Sequence, residues 1–382
     1  MANTKKVNPN TSNTFSFNFK QVEIPILKEV ASKKNYYMTN DADNFFDQLI
    51  YYYEKGNVHS TFVDNLSSRI IGSGLQTTDQ GSEAVIKSYE LDELYKKISF
   101  DYSLYGGYAI EIIWNVLHTE ITQVNYIDFS RVRSGFIDDK IDEVTLFYYS
   151  VDWHAWSKEI EVYHTFDSNP ETDNRQIYYY KDNHPGKDIY PRPEYNAALK
   201  WVYTEVELNR YYANLVKNNF VPTTMLTVNS FFDEEKQVNF EKSLKNFTGG
   251  DAAGTIFVIY NEGGDETTKP ELIKFNGDSE DNKYQWLTNH TIEELIIGHR
   301  IPNPLLAGVK TPGQLGGATE LEISERIYNL QVVLPKRTNV LKGINDISNF
   351  IPGDIVYDVI NTDIFDVVRE DKPVDEEKTI TE

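Results

Sequence analysis

Two long helical patterns, from about Pro193 to Asn219 and from about Ser279 to Ile297, bracket a stretch in which the hydrophobic period changes. This interruption constrains the fold more than any other feature of the chain. Inside it "PTTMLTV" reads as a strand, "SFFDEEKQVNFEKSLKNF" as a helix, and "GTIFVIYN" and "PELIKFN" as two strands separated by the turn-rich "EGGDETTK". Ser230 and Asp233 are spaced as a capping box at the start of that helix. Residues 221–278 are therefore expected to form a small strand–helix–strand–strand insertion between two helices. The flanking helices carry apolar positions on more than one side, which suits packing against several neighbours. Gly298 is placed as the C-terminal cap of the second helix and Pro302 as its stop.

Beyond Pro302 the chain changes sharply in stiffness. Residues 303–322, "NPLLAGVKTPGQLGGATELE", have the composition of a mobile loop, with Pro312, Gly313, Gly316 and Gly317 after Lys310. Thr319 and Glu322 then make a T-x-x-E capping box, and a helix is expected from there to about Asp346. Pro335 lies inside it and is expected to kink it by removing a backbone donor.

The N-terminal half is mixed. Residues 1–40 are polar and irregular and read as an arm. Helical spacing covers Asp41 to Tyr53, then "HSTFVDNLSSRIIGSG" closed by Gly72, then roughly Glu83 to Tyr102. Gly106 and Gly107 mark a turn, and the run after them reads as a strand. Between 120 and 190, "EVTLFYYS", "EIEVYHTF" and "RQIYYY" alternate with Asp/Asn/Pro turns. The fold class is α+β.

Composition narrows the functions. The absence of cysteine excludes structural disulfides and thiolate metal sites. "MANTKKVNPNTSNTFSFNF" has no apolar run of signal-peptide length, and no stretch approaches the ~20 apolar residues of a membrane span, so a soluble protein without membrane contact is expected. A net charge of -22 argues against a tight grip on nucleic acid, which needs a basic footprint, but not against a surface past which DNA slides. The 26 tyrosines suit either a chain with many subunit contacts or simply an Asn- and Tyr-rich proteome.

Catalytic motifs are missing: there is no terminal Gly-Lys-Ser/Thr of a P-loop, no G-x-G-x-x-G, no H-E-x-x-H and no G-x-S-x-G. Of His59, His118, His154, His164, His184, His290 and His299, the pair His154 and His164 is close in sequence. In a Tyr/Trp-rich stretch, packing is the plainer reading for them. With 59 carboxylates, any pair could be named an acid and a base, so that pattern selects nothing. No enzyme activity, cofactor or metal is expected. A non-catalytic α+β binding module, and less readily a carboxylate hydrolase using His154 or His164, are compatible with these residues.

The order of parts is more specific than any motif. "LYGGYAIEIIW" after a helix, a long helix ending "NNFVPTTMLTV", the insertion, then "IIGHRIPNPLLAGV", a Gly-rich loop and "LGGATELEISERIYNLQVVLPKRTNVLKGIN" resemble the portal proteins of tailed bacteriophages, over roughly residues 41–346. The likeness is to the short group that includes the phage HK97 portal. Pro302, Pro304, Leu305, Leu306, Gly308, Leu334, Pro335 and Ile344 occupy the places of that family's "fgvPp-llG" and "l-P-----ie--i" patterns.

The resemblance implies a homo-oligomeric ring, usually of twelve subunits, at one capsid vertex of the virion, assembled in the host cytoplasm. Double-stranded DNA would pass through it during packaging and ejection. Its partners would be the major capsid protein, the terminase large subunit and a head–tail adaptor. It also implies a division of the chain. After the arm 1–40 would come a wing (41–192), a stem helix (193–220), a clip (221–278) and a second stem helix (279–300). A tunnel loop (301–318), a long kinked wing helix (319–346) and a short crown with an acidic tail (347–382) would complete the chain. The channel-lining residues would be Val309, Lys310, Thr311, Pro312, Gly313, Gln314, Leu315, Gly316 and Gly317, with Pro335 as the helix kink. Glycines would lower the cost for each copy to conform differently to a helical rod of unmatched symmetry. Lys310, the one charged residue of the loop, would touch phosphate or stand as a solvated surface lysine.

Overall fold

The computed structural model describes residues 24–360 except 139–142, 156–158, 168–172, 188, 218–223, 230–255, 262–270, 275–279, 310–316 and 354. The chain is α+β. It opens with a short hairpin, β1 (Val30–Ala31) and β2 (Tyr37–Met38), followed by α1 (Phe45–Lys55) and α2 (Asn57–Ile71). α1 buries Phe45, Phe46, Leu49 and Tyr52, one helical face. Residues 24–40, expected as part of an irregular arm, are instead docked. Leu27 and Tyr36 are buried, and the Glu29 carboxylate accepts the N–H groups of Ile189 and Tyr190 at 2.9 and 3.0 Å.

The single helix expected over 83–102 is two, α3 (Gln80–Ser88) and α4 (Leu91–Tyr105). Asp79 caps α3 by accepting from Ser82 N–H at 2.7 Å. Glu90, with φ 53°, breaks the run in the left-handed region. The break is fixed from outside, because the Tyr89 hydroxyl reaches the Ile121 carbonyl at 3.0 Å. α4 is the central helix and buries Leu91, Leu94, Tyr95, Ile98, Tyr102, Leu104 and Tyr105. Gly106 ends it at φ 79°, where a Cβ would stand 2.5 Å from the Arg192 carbonyl oxygen, so only glycine fits.

The turn feeds β3 (Gly107–Trp114), almost wholly buried, in a six-stranded sheet. The other strands are β4 (Ile121–Tyr126), β5 (Val132–Ser134), β8 (Leu146–Tyr149), β9 (Glu161–Thr165) and β10 (Arg175–Lys181). A small hairpin of β6 (Ile137–Asp138) and β7 (Glu143–Val144) lies outside it. The order is β4-β3-β10-β9-β8-β5, antiparallel throughout except for the β9–β10 pair.

The second half begins with a 3-10 turn, Glu194–Ala198, that runs into α5 (Leu199–Lys217). β11 (Thr224–Asn229) lies between a parallel β12 (Ile256–Asn261) and an antiparallel β13 (Glu271–Lys274). The helix expected between β11 and β12, with Ser230 and Asp233, lies outside the described residues. α6 (Glu280–Gly298) returns antiparallel to α5, with Tyr212 and Thr288 hydroxyls 3.0 Å apart near one end and Ala198 against Gly298 at the other.

α7 (Ala318–Tyr328), a π-turn (Asn329–Val333) and α8 (Leu334–Ser348) then form one helical run. The Thr319–Glu322 capping box does not form: the run starts earlier, with Gly317 at the N-cap and no side-chain cap. Beyond α8, residues of the expected crown turn back on the body. Asp358 and Gln76 exchange backbone hydrogen bonds of 2.8 and 2.9 Å, and Ser73 N–H donates to the Ile360 carbonyl at 3.1 Å. A continuous core joins α1, α2, α4, the sheet, the start of α5, the end of α6 and α8. Among the described residues no helix is long and apolar enough to cross a membrane.

Candidate functional site at the base of the glycine-rich loop

The segment that leaves α6 is tied down by local hydrogen bonds. Arg300 N–H bonds to the Ile297 carbonyl at 3.0 Å and Ile301 N–H to the Ile296 carbonyl at 3.1 Å, a Schellman closure with Arg300 in the left-handed conformation at φ 53°. The reversal expected at Gly298 is thus made by Arg300. Gly298 is needed for another reason: a Cβ there would lie 2.3 Å from the Ala198 Cβ, so the end of α6 meets the start of α5 at backbone distance. Buried Asn303 caps the following 3-10 turn, Pro304–Ala307, by accepting from Leu305 N–H at 3.1 Å. Gly308, at φ 74°, and Val309 close it with bonds to the Leu305 and Pro304 carbonyls.

Of the expected channel-lining residues, Val309 ends this turn, half-buried against the core, and Gly317 is the N-cap of α7. Lys310, Thr311, Pro312, Gly313, Gln314, Leu315 and Gly316 lie outside the described residues.

Both flanks of the loop are held by the same two side chains. Arg69, near the end of α2, donates to the Leu306 carbonyl before the loop (3.3 Å) and pairs with Glu325 after it (2.9 Å). Its neighbour Asn65 donates to the same carbonyl at 2.9 Å and accepts from Arg69 Nε at 3.2 Å. Arg69 also lies over the Tyr328 ring, 5.6 Å from its centroid. The pair is buried, Glu325 almost completely, so the two charges depend on each other. Glu194, at the foot of α5, repeats the arrangement with opposite sign. It takes Arg300 from before the loop (3.1 Å) and Lys336 from after it (2.9 Å).

A buried imidazole pair underlies these clamps. His59 Nδ1 and His299 Nε2 are 3.1 Å apart, with Tyr195 stacked at 4.9 Å on the His299 ring. Burial pushes His59 down to about 3, and burial together with the His59 neighbour holds His299 well below the ordinary imidazole range. Both rings are neutral packing elements at neutral pH. Glu205 from α5 accepts the N–H groups of Val58 and His59 at 2.6 and 3.2 Å at the N-terminus of α2, and burial raises its carboxyl above the usual range. Nothing in the sequence links His59 to His299, 240 positions apart.

Pro335 sits at the start of α8, directly after the π-turn. It has no N–H to offer the Gln331 carbonyl, and the wider winding of the preceding residues accommodates that loss. A second irregularity has no counterpart in the sequence patterns. The Tyr108 hydroxyl of β3 accepts from Gly343 N–H (3.1 Å) and donates to the carbonyls of Asn339 (3.0 Å) or Val340 (3.2 Å), entering the α8 ladder. A Cβ on Gly343 would meet that hydroxyl at 2.6 Å.

The sequence-derived catalytic candidates are not brought together. His154 faces Asp47 at 3.1 Å on the surface, whereas His164 lies in β9 opposite Leu146. Among the described residues no group of three or more His, Asp or Glu side chains is placed to hold a metal ion.

No family model matches the chain, and no curated protein matches it. Solved structures do. A chain from the neck of an empty gene transfer agent (GTA) particle, computed with C6 symmetry, aligns with TM-score 0.55 at 13% identity over 85% of this chain and 87% of that one. A chain from the virion of a native GTA particle gives 0.55 at 13%, over 85% and 86%. A chain from the neck of a native GTA particle, computed with C12 symmetry, gives 0.52 at 15%, over 91% and 90%. Likeness at these identities is a likeness of fold, and it extends over most of both chains.

Proposed function

We propose that this chain is a portal-type head–tail connector: a structural subunit, without catalytic activity, that closes with copies of itself into a ring at one capsid vertex of a phage-like virion. The observation that carries the reading is the order of parts around the loop. An α+β body leads to an antiparallel helix pair with a three-stranded sheet inserted between its helices, then to a Gly-rich segment clamped on both flanks, then to a long helical run. The likeness in fold to chains of particle necks, computed with C6 and C12 symmetry, supports a ring and a place in the particle.

In this reading α5 and α6 form the stem, β11–β13 belong to the clip, and the loop between Val309 and Gly317 lines the narrowest part of a channel for double-stranded DNA. The group typified by the HK97 portal remains the one its motifs favour, and twelve copies the expected number. The clip would meet the terminase large subunit and later a head–tail adaptor, and the wing the major capsid protein, with assembly in the host cytoplasm. The acidic balance, -22 overall, suits a conduit that lets DNA slide rather than holds it. The test is particle mass by light scattering after size exclusion, with negative-stain images of the same peak. Rings of about a dozen copies with a central hole are expected; a chain that stays small at high concentration and with capsid partners present overturns the reading.

A further inference from the structure

Two exposed apolar stripes lie on different helices of the chain. On α7 and the π-turn, Ile323, Ile327 and Leu330 (55%, 42% and 59% exposed) succeed one another at helical spacing, while Glu325, Tyr328 and Val332 of the opposite face are buried. On α6, Trp286 (64%) and Ile297 (70%) share an outer face, with Trp286 stacked on His290 at 5.1 Å. α6 packs on α5 and on α2, and the π-turn packs on α2 and α8. Outward charges border each stripe, Glu320 and Arg326 on α7 and Glu293 on α6. Arg326 on α7 is 71% exposed, 3.7 Å from Glu322 of its own helix. Glu293 on α6 is 66% exposed, 3.7 Å from His290. Arg326 and Glu293 are opposite in sign.

Resting on the proposed ring, we propose that these stripes are the two halves of the contact between successive copies of this chain. The α7 stripe of one copy packs on the α6 stripe of the next, with Arg326 of the first facing Glu293 of the second. Three features select this occupant. A closed ring requires a heterologous contact, so each chain must present two different complementary patches, and two are present. Copies that each carry -22 repel at long range, so their contact needs apolar surface and one registered opposite-charge pair rather than a broad charged face. An exposed tryptophan in such a patch has the character of an interface anchor. The contact would join the helix entering the loop in one copy to the helix leaving it in the next, tying neighbouring loops together at their bases.

The experiment is sedimentation of the full-length chain over a concentration series, for wild type, Glu293→Arg, Arg326→Glu and the double reversal. Each single reversal should weaken self-association by about tenfold or more, and the double reversal should recover most of it. Single reversals that assemble like wild type, or a double that does not recover, overturn the pairing while leaving the ring standing. A wild-type chain that remains monomeric throughout, with capsid partners present, overturns the ring reading itself and the pairing with it. A second readout does not depend on charge. On assembly the tryptophan emission should shift to the blue and lose acrylamide quenching, and Trp286→Phe, with an unchanged circular dichroism spectrum, should abolish that change. A Trp286 that stays water-exposed in assembled rings overturns the proposed contact.

Discussion

Acidification from pH 7.5 to 5.0 should strike the junction beneath the loop through His59 and His299. An unfolded histidine titrates near ~6.5. In the fold, burial brings His59 to about 3 and holds His299 well below its ordinary value. Between those limits the unfolded chain takes up protons that the folded chain refuses, so stability rises with pH across the window and is lost as pH falls below about 6.5. At pH 5.0 the loss relative to pH 7.5 is about 2 kcal/mol for His59 alone, and His299 adds to it with the same sign, against a typical total of 5–15 kcal/mol. Asp101 and Glu205, whose carboxyls burial raises, act with the opposite sign because the folded chain binds their protons more readily. They are common to wild type and variant and cancel in the comparison. The assay is denaturant unfolding at both pH values and fixed protein concentration, for wild type and for His59→Gln with His299→Gln. The double variant should lose at least about 2 kcal/mol less than wild type between pH 7.5 and 5.0, whatever its stability at pH 7.5. Equal losses would refute the reasoning. So would His59 and His299 imidazole proton resonances of the folded wild type titrating near ~6.5.

Arg69→Ala leaves Glu325 buried without its partner and should cost about 3–5 kcal/mol in chemical denaturation, whereas Arg69→Met combined with Glu325→Leu should recover most of it; equal cost in both would locate the effect elsewhere. Gly298→Ala should cost about 1–3 kcal/mol by forcing α6 from the foot of α5, and Ala198→Gly should rescue it; an unchanged melting temperature for the single variant would disprove the close approach. Lys310→Glu should leave assembly intact and impair DNA packaging or retention, scored as the DNA content of purified particles. Unchanged content would remove Lys310 from the mechanism.

Elements whose signal is local could be read from the sequence. The β3 strand follows from a glycine pair and an apolar run, and α2 ends at Gly72 as expected. Local rules failed where a residue served a distant neighbour. Gly298 looked like a cap because glycine is the usual left-handed residue, but its missing side chain makes room for Ala198, and Arg300 adopts the left-handed conformation instead. Thr319 and Glu322 had the spacing of a capping box, yet α7 begins one residue before Thr319, and a shift of that size removes the motif. The clamps were invisible for a different reason. Arg69 and Glu325 are 256 positions apart, and Glu194 is chemically one carboxylate among 59. Only folding decides which of them meets two cations.

The paired grip of Arg69 and Glu194 on both flanks of the loop has a mechanical consequence. Had the loop been tethered at one flank, its base would behave as springs joined end to end, and the softest would set the compliance. Tied at both flanks to α2 and to the foot of α5, the springs act side by side, and their stiffnesses add. A sideways force arriving at Val309 or Gly317 therefore reaches the body as a shared strain on two helices.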